Sequence, residues 1–158
     1  MIREVWPPMK TVVAVQPYEI ALLDTPEPKP GPYQSLVKTE VACICNQTDS
    51  ELLAGKFPGM EEAFPFALGH ESVGIVTQVG EKVKNFAVGD RVVGWLVFDL
   101  QKEGVDSGWG GFCEFTLAND HQAMVADGVA NEANGWIEVF EIQTRVDASK
   151  SNLSSRDY

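Results

Sequence analysis

The chain has 158 residues, 44% of them hydrophobic and 22% charged, with a formal net charge of -11. That length fits one domain with room for a small appendage, and the composition supports a buried core. So acidic a surface repels phosphate backbones and anionic lipid, which excludes nucleic acid and membrane surfaces as expected partners.

The segment from Met1 to Pro8 lacks the basic start and apolar run of a signal peptide. No stretch reaches the roughly 18 apolar residues of a membrane span, so a cytoplasmic location is expected. Thr11–Val15 and Glu19–Leu23 read as strands. The proline-rich run 26–32 is a stiff, extended connection that cannot be helical. Ser35–Cys45 alternates as a half-buried strand. Thr48–Gly55 reads as a short helix, with capping residues at its start, acids in its first turn and a glycine stop. Residues 57–66 are irregular.

Ser72–Gln78 is the next strand, followed by a turn at 80–82. A second turn at Gly89-Asp90 leads into a continuous apolar strand, Arg91–Phe98. Gln101–Gly111 is a polar loop, and Gly111–Leu117 and Gln122–Val125 read as short strands. Trp136–Ile142 alternates like one more strand, and the end of the chain is polar. Many short strands with regular turns argue for a barrel or sandwich rather than alternating β-α units. The expected organisation is one domain over 1–145 and a polar, mobile tail over 146–158.

Three cysteines, Cys43, Cys45 and Cys113, are an odd number and no disulfide framework. Cys43 and Cys45 are too close for a relaxed mutual disulfide, and in a strand they would share one face. Core thiol, metal ligand and nucleophile all stay open for them. Cys45, the pair Thr48-Asp49 and the dipeptide His70-Glu71 after Gly69 stand out together. Thiolate and neutral imidazole are what zinc prefers, and a catalytic zinc needs only three protein ligands. Such an ion polarises an alcohol or carbonyl oxygen. Taken singly, a cysteine on an apolar strand is usually a small core residue, and a histidine at a strand start is usually structural. Spacing alone does not decide between the two.

The surrounding sequence does. Leu68-Gly69-His70-Glu71-Ser72-Val73-Gly74, then Val79-Gly80, then Phe86-Ala87-Val88-Gly89-Asp90-Arg91-Val92, resembles the signature stretch of zinc-dependent medium-chain dehydrogenases. The likeness extends up to Cys45 and Thr48-Asp49 and down to Gly110-Gly111-Phe112-Cys113-Glu114-Phe115, covering about residues 10–128. It implies a mainly β, GroES-like, partly open barrel with one or two short helices. It also implies an alcohol or polyol dehydrogenase using zinc and NAD or NADP on a small alcohol or carbonyl substrate. By that resemblance Cys45 and His70 are zinc ligands, and Glu71 is an exchangeable ligand or a supporting carboxylate beside the ion. Thr48 passes the alcohol proton toward solvent, and its alternative role is as helix cap.

Four departures qualify the match. Two residues, Asn46 and Gln47, separate Cys45 from Thr48 where the family has one. Cys45 is preferred to Asn46 as the ligand, and Cys43 is better suited to the core. No convincing third ligand follows, since Glu132, Glu138, Glu141 and Asp157 would serve only by coincidence. The four-cysteine cluster of a structural zinc is missing between Val97 and Gly111. No Gly-x-Gly-x-x-Gly turn followed by a helix marks a dinucleotide-binding domain. The expectation is therefore the catalytic portion of a dehydrogenase that is incomplete without a nucleotide-binding domain. The alternative is a non-enzymatic GroES-like interaction module or remnant. An exposed apolar barrel face would then drive homo-oligomers or other association.

Overall fold

The computed structural model describes residues 7–61, 63–93, 105 and 111–130. Among them run β1 (Pro8–Gln16), β2 (Glu19–Pro26), β3 (Gln34–Ala42), α1 (Thr48–Leu53), β4 (Phe66–Ala67), β5 (Ser72–Val79), β6 (Arg91–Val93), β7 (Phe115–Asn119) and α2 (His121–Ala126). The strands form two antiparallel sheets, in the orders β2-β1-β4 and β6-β5-β3-β7. The mainly β expectation with short helices holds, and the described strands close no full barrel.

The segment leading into β7 joins the sheets. Val12 N donates to Phe112 O at 3.1 Å and Glu114 N to Lys10 O at 3.1 Å, which ties this segment to β1. Thr39 N donates to Glu114 O at 2.9 Å, which ties the same residue to β3. One residue thus serves two sheets, and the chain crosses from one to the other at Glu114.

Alternation along β1 gives both faces of the first sheet an apolar layer. Met9 and Val13 pack with Ala67, Val105 and Cys113 on one side. On the other, Ala14, Phe66 and Leu68 pack under Leu52 of α1. Phe66 is fully buried, so its truncation to alanine costs about 3–5 kcal/mol. A third cluster of Val37, Val76, Val92 and Ala118, with Phe86 against it, fills the second sheet. Close approach of β5 to β3 depends on Gly74, where a Cβ would stand 2.1 Å from Lys38 O.

Several expectations need correction. The segment expected as strand Gln122–Val125 is helix α2, because Asp120 caps it by accepting from Ala123 N at 3.0 Å. A four-residue segment with three apolar residues cannot distinguish strand from helix by period alone. Phe66, placed at the end of an irregular stretch, forms β4 with Ala67 against β1. The strand expected to reach Cys45 stops at Ala42. Nothing in the described structure covers its end, so Cys43 is exposed and is not a core thiol. The remainder of Arg91–Phe98, the loop over 101–110 apart from Val105, Trp136–Ile142 and the tail over 146–158 lie outside the described residues.

Candidate metal centre

The site begins where β3 hands over to α1. Cys45 N donates to Asp49 Oδ2 at 2.8 Å, and Asp49 N donates to Cys45 O at 3.2 Å. This two-way clip turns the chain off the sheet and starts the helix. Gln47 occupies the cap position and makes no side-chain cap bond, so Thr48 is the first helical residue and not the cap. At the other end Gly55, at φ +66°, takes the left-handed conformation that stops a helix.

The amide of Thr48 first, then its hydroxyl and the amide of Gln47, instead donate to the Cys45 sulfur, and they hold its pKa below the ordinary thiol value. Exposed amides at a helix start favour an anion in this way. Cys113 contrasts with it: burial pushes its thiol up to about 11, against a hydrogen bond from Thr11. Chain position therefore sorts the thiols into one disposed to ionise and one held neutral.

His70 and Glu71 arrive from the other side, just before β5. Gly69 sits at φ +93°, and a Cβ there would meet the Phe112 ring at 2.6 Å. Only glycine satisfies both demands, and the bend it permits sets His70 into the cleft. Gly111 N to Gly69 O at 2.8 Å and Cys43 N to Glu71 O at 2.8 Å brace the segment on both flanks.

The outcome is a cluster in which the donor atoms of Cys45, His70 and Glu71 lie within 4.8 Å of one another. Glu71 Oε1 is 3.7 Å from His70 Nε2. On the far side of the ring, Asp49 Oδ1 stands 3.3 Å from His70 Nδ1, and its side chain is 7% exposed. Asp49 thus bonds Cys45 through one oxygen and faces His70 with the other. The sequence quoted it beside Thr48 without giving it a role. The available signal was its position three residues before buried Leu52, which turns an acid toward the packed face of α1.

The donor set fits zinc. Zinc bonds of about 2.0 Å to nitrogen and 2.3 Å to sulfur place a shared ion's donors roughly 3.5 Å apart, which small side-chain rotations of this cluster reach. Mixed sulfur and nitrogen donors favour zinc over magnesium or calcium. A carboxylate behind the ring nitrogen that faces away from the donors is the usual support of a ligating histidine. Asn46, the alternative to Cys45, is exposed. Beside the cluster opens an apolar cavity of about 430 Å³ lined by Val12, Ile20, Ile44, Leu53, Leu68 and Phe112, with Asp49 in its wall. Among the described residues no helix is long and apolar enough to cross a membrane.

Residues 31–128 match the family model described as the alcohol dehydrogenase GroES-like domain. A zinc-type alcohol dehydrogenase-like protein of Schizosaccharomyces pombe is 40% identical over 93 residues, which are 58% of this chain and 21% of that protein. An acryloyl-coenzyme A reductase of Sulfurisphaera tokodaii is 38% identical over 89 residues, 56% of this chain and 26% of that protein. Among solved structures, a protein of Sinorhizobium meliloti assigned as a zinc-binding dehydrogenase, bound to NADP, superposes with a TM-score of 0.58 at 32% identity. That match covers 72% of this chain and 37% of that one. The chain thus spans about a quarter of the length of these curated relatives.

Proposed function

Because this chain belongs to the alcohol dehydrogenase GroES-like family, we propose that it is the catalytic portion of a zinc-dependent NAD(P) alcohol or polyol dehydrogenase. The observation that carries the reading is the convergence of Cys45, His70 and Glu71 within 4.8 Å. When bound, zinc supplies a Lewis acid that polarises an alcohol or carbonyl oxygen for hydride transfer.

The remaining work falls to the chain itself. Cys45 offers a sulfur whose anionic form is favoured by the start of α1. His70 presents Nε2 toward the cluster while Asp49 holds Nδ1. Glu71, whose side chain is half-exposed, can approach or leave and so leave room for a substrate oxygen. Thr48 donates its hydroxyl hydrogen to the Cys45 sulfur here; to relay the alcohol proton it would turn that hydrogen toward solvent and release it while accepting the proton from the alcohol. The apolar cavity beside Asp49 offers a dry wall to the carbon skeleton of a substrate. NAD or NADP would bind in the rest of a complete enzyme, and the exposed apolar face is the surface through which the chain associates.

Equilibrium dialysis against zinc tests the reading. One zinc per chain, lost in both Cys45→Ser and His70→Ala, is the expected result. Mixing with a nucleotide-binding domain of the same family should then restore alcohol oxidation. A chain that takes up no zinc would instead leave a GroES-like interaction module.

A further inference from the structure

Resting on the reading of Cys45, His70 and Glu71 as zinc donors, we infer that the substrate is a monohydric alcohol, or the matching carbonyl compound, whose hydrocarbon tail fills the apolar cavity beside the site. Polyols are then the class this chain turns away.

The cavity and the donor cluster share a wall. Asp49 lines the cavity, bonds the Cys45 amide through Oδ2 and faces His70 Nδ1 with Oδ1 at 3.3 Å. Other parts of the wall are chain neighbours of the donors. Ile44 immediately precedes Cys45, and Leu68 lies two residues before His70. The Phe112 ring packs against Gly69, the residue between them. Ile20 and Ile44 are largely exposed and form an open rim. A molecule whose oxygen reaches the cluster therefore has an apolar space beside it for its carbon atoms.

What the walls offer decides the class. Val12, Ile20, Ile44, Leu53, Leu68 and Phe112 bring side chains that make no hydrogen bonds, and about 430 Å³ is the size of a small-molecule site. The backbone between them is already paired. Val12 N donates to Phe112 O at 3.1 Å, Leu68 N to Val12 O at 3.0 Å and Phe112 N to Leu68 O at 3.0 Å, while Leu53 O accepts from Tyr18 N at 2.8 Å. Among the lining residues only Asp49, already engaged, and Ser50 carry polar side chains. A hydroxyl buried there without a partner costs about 5–150-fold in affinity. A buried methylene instead gains about 4-fold. A chain of carbons is drawn in and a chain of hydroxyls is kept out.

The test is a nuclear magnetic resonance titration of the chain loaded with cobalt(II) in place of zinc, at a concentration where it sediments as a monomer. Primary alcohols from ethanol to pentanol, and sorbitol, are the probes. Kd should fall about 4-fold for each added methylene, and sorbitol should bind at least ~10-fold more weakly than butanol. The paramagnetic ion should relax protons beside the hydroxyl faster than those of the terminal methyl. Ile20→Asn, on the exposed rim, should weaken pentanol more than ethanol while cobalt uptake persists. A Kd independent of chain length, or sorbitol binding as tightly as butanol, in a chain that holds cobalt would overturn this inference and leave the metal reading standing. A methyl end relaxed as fast as the hydroxyl end would overturn it too, because the tail would then not run away from the ion into the cavity. A chain that takes up neither cobalt nor zinc would remove the reading beneath it, however the alcohols bind.

Discussion

Cys45 and Asp49 hold each other from both ends: the Cys45 amide donates to Asp49 Oδ2 at 2.8 Å, and the Asp49 amide returns a bond to Cys45 O at 3.2 Å. The other carboxylate oxygen faces His70 Nδ1. A single acid therefore stands between two donors that lie 25 residues apart in sequence. In Asp49→Asn the side-chain oxygen still accepts from Cys45, so the fold is retained, but the charge behind the imidazole is lost. Zinc affinity should fall on the order of 10–100-fold, while the denaturation midpoint moves little. Competition with a chromophoric chelator measures the first effect and thermal melting the second. An unchanged affinity would reduce Asp49 to a local clip.

The three thiols should separate by pH in the metal-free chain. Hydrogen bonds from Thr48 and Gln47 hold the Cys45 pKa below the ordinary thiol value, whereas burial raises Cys113 to about 11. A lowered pKa means that Cys45 is thiolate at a pH where an ordinary thiol is still protonated, so it alkylates there. Peptide-resolved alkylation between pH 6 and 9 should show Cys45 with a midpoint below the reference value of 9.0 and Cys113 unreactive throughout. Thr48→Val removes one donor and should move the Cys45 midpoint upward. If the midpoint stays in place, the Thr48 hydroxyl is not what favours the anion, and the amides of residues 48 and 47, which the variant keeps, are.

How far the sequence announced this site depends on which physical cue carried each residue. His70 and Glu71 stood out through the family resemblance of the glycine-punctuated run that holds them. Gly69 turns the chain there, with its positive φ and the Phe112 ring packed against it. The fold class was legible for a similar reason, since short alternating runs between turns leave few options. Asp49 was less legible, because its role depends on a segment 21 residues away, across the sheet. Cys43 was misread because alternation suggests a buried strand but cannot show whether another layer covers it. Helix α2 was missed because its deciding contact is a capping bond from Asp120, and a cap adjacent to four apolar residues reads equally well as a strand start.

Asp120 should prove a stability determinant with a defined pH window. It accepts from Lys84 N, Asn85 N and Asn85 Nδ2 at 2.7–2.8 Å and from Ala123 N at 3.0 Å, so one carboxylate joins α2 to the loop before β6. Burial opposes its ionisation, but these bonds outweigh it and hold the pKa below the usual aspartate value. A depressed folded pKa means the contribution is complete above the unfolded value of about 3.9 and fades as pH falls through the folded one. Asp120→Ala removes a helix cap and leaves buried donors without an acceptor, which together cost about 2–4 kcal/mol at neutral pH. Urea titrations of both proteins should converge below pH ~4. A constant gap across that range would place the effect in packing rather than charge.

The face beside the cavity should govern association. Ile20, Leu22 and Ile44 are 58%, 63% and 79% exposed; Ile20 and Ile44 line the apolar cavity, and Leu22 lies two residues along β2 from Ile20, on the same strand face. Apolar side chains grouped round a cleft are a different matter from single exposed ones, because their combined area can be withdrawn from water at once. The charged ends of β2 bound this face: Lys10 pairs with Asp24 at 2.6 Å, and Gln16 bonds Glu19. Association should therefore centre on the Ile20–Ile44 cleft rather than run along the β2 edge. Sedimentation velocity should show mass rising with concentration. Ile44→Asp, which places a charge in the middle of the cleft on a loop outside the core, should weaken association by at least ~10-fold, equivalent to about 1.4 kcal/mol. The far-ultraviolet circular dichroism of that variant should match the parent. A chain that sediments as a monomer at every concentration would show that this face stays solvated in isolation.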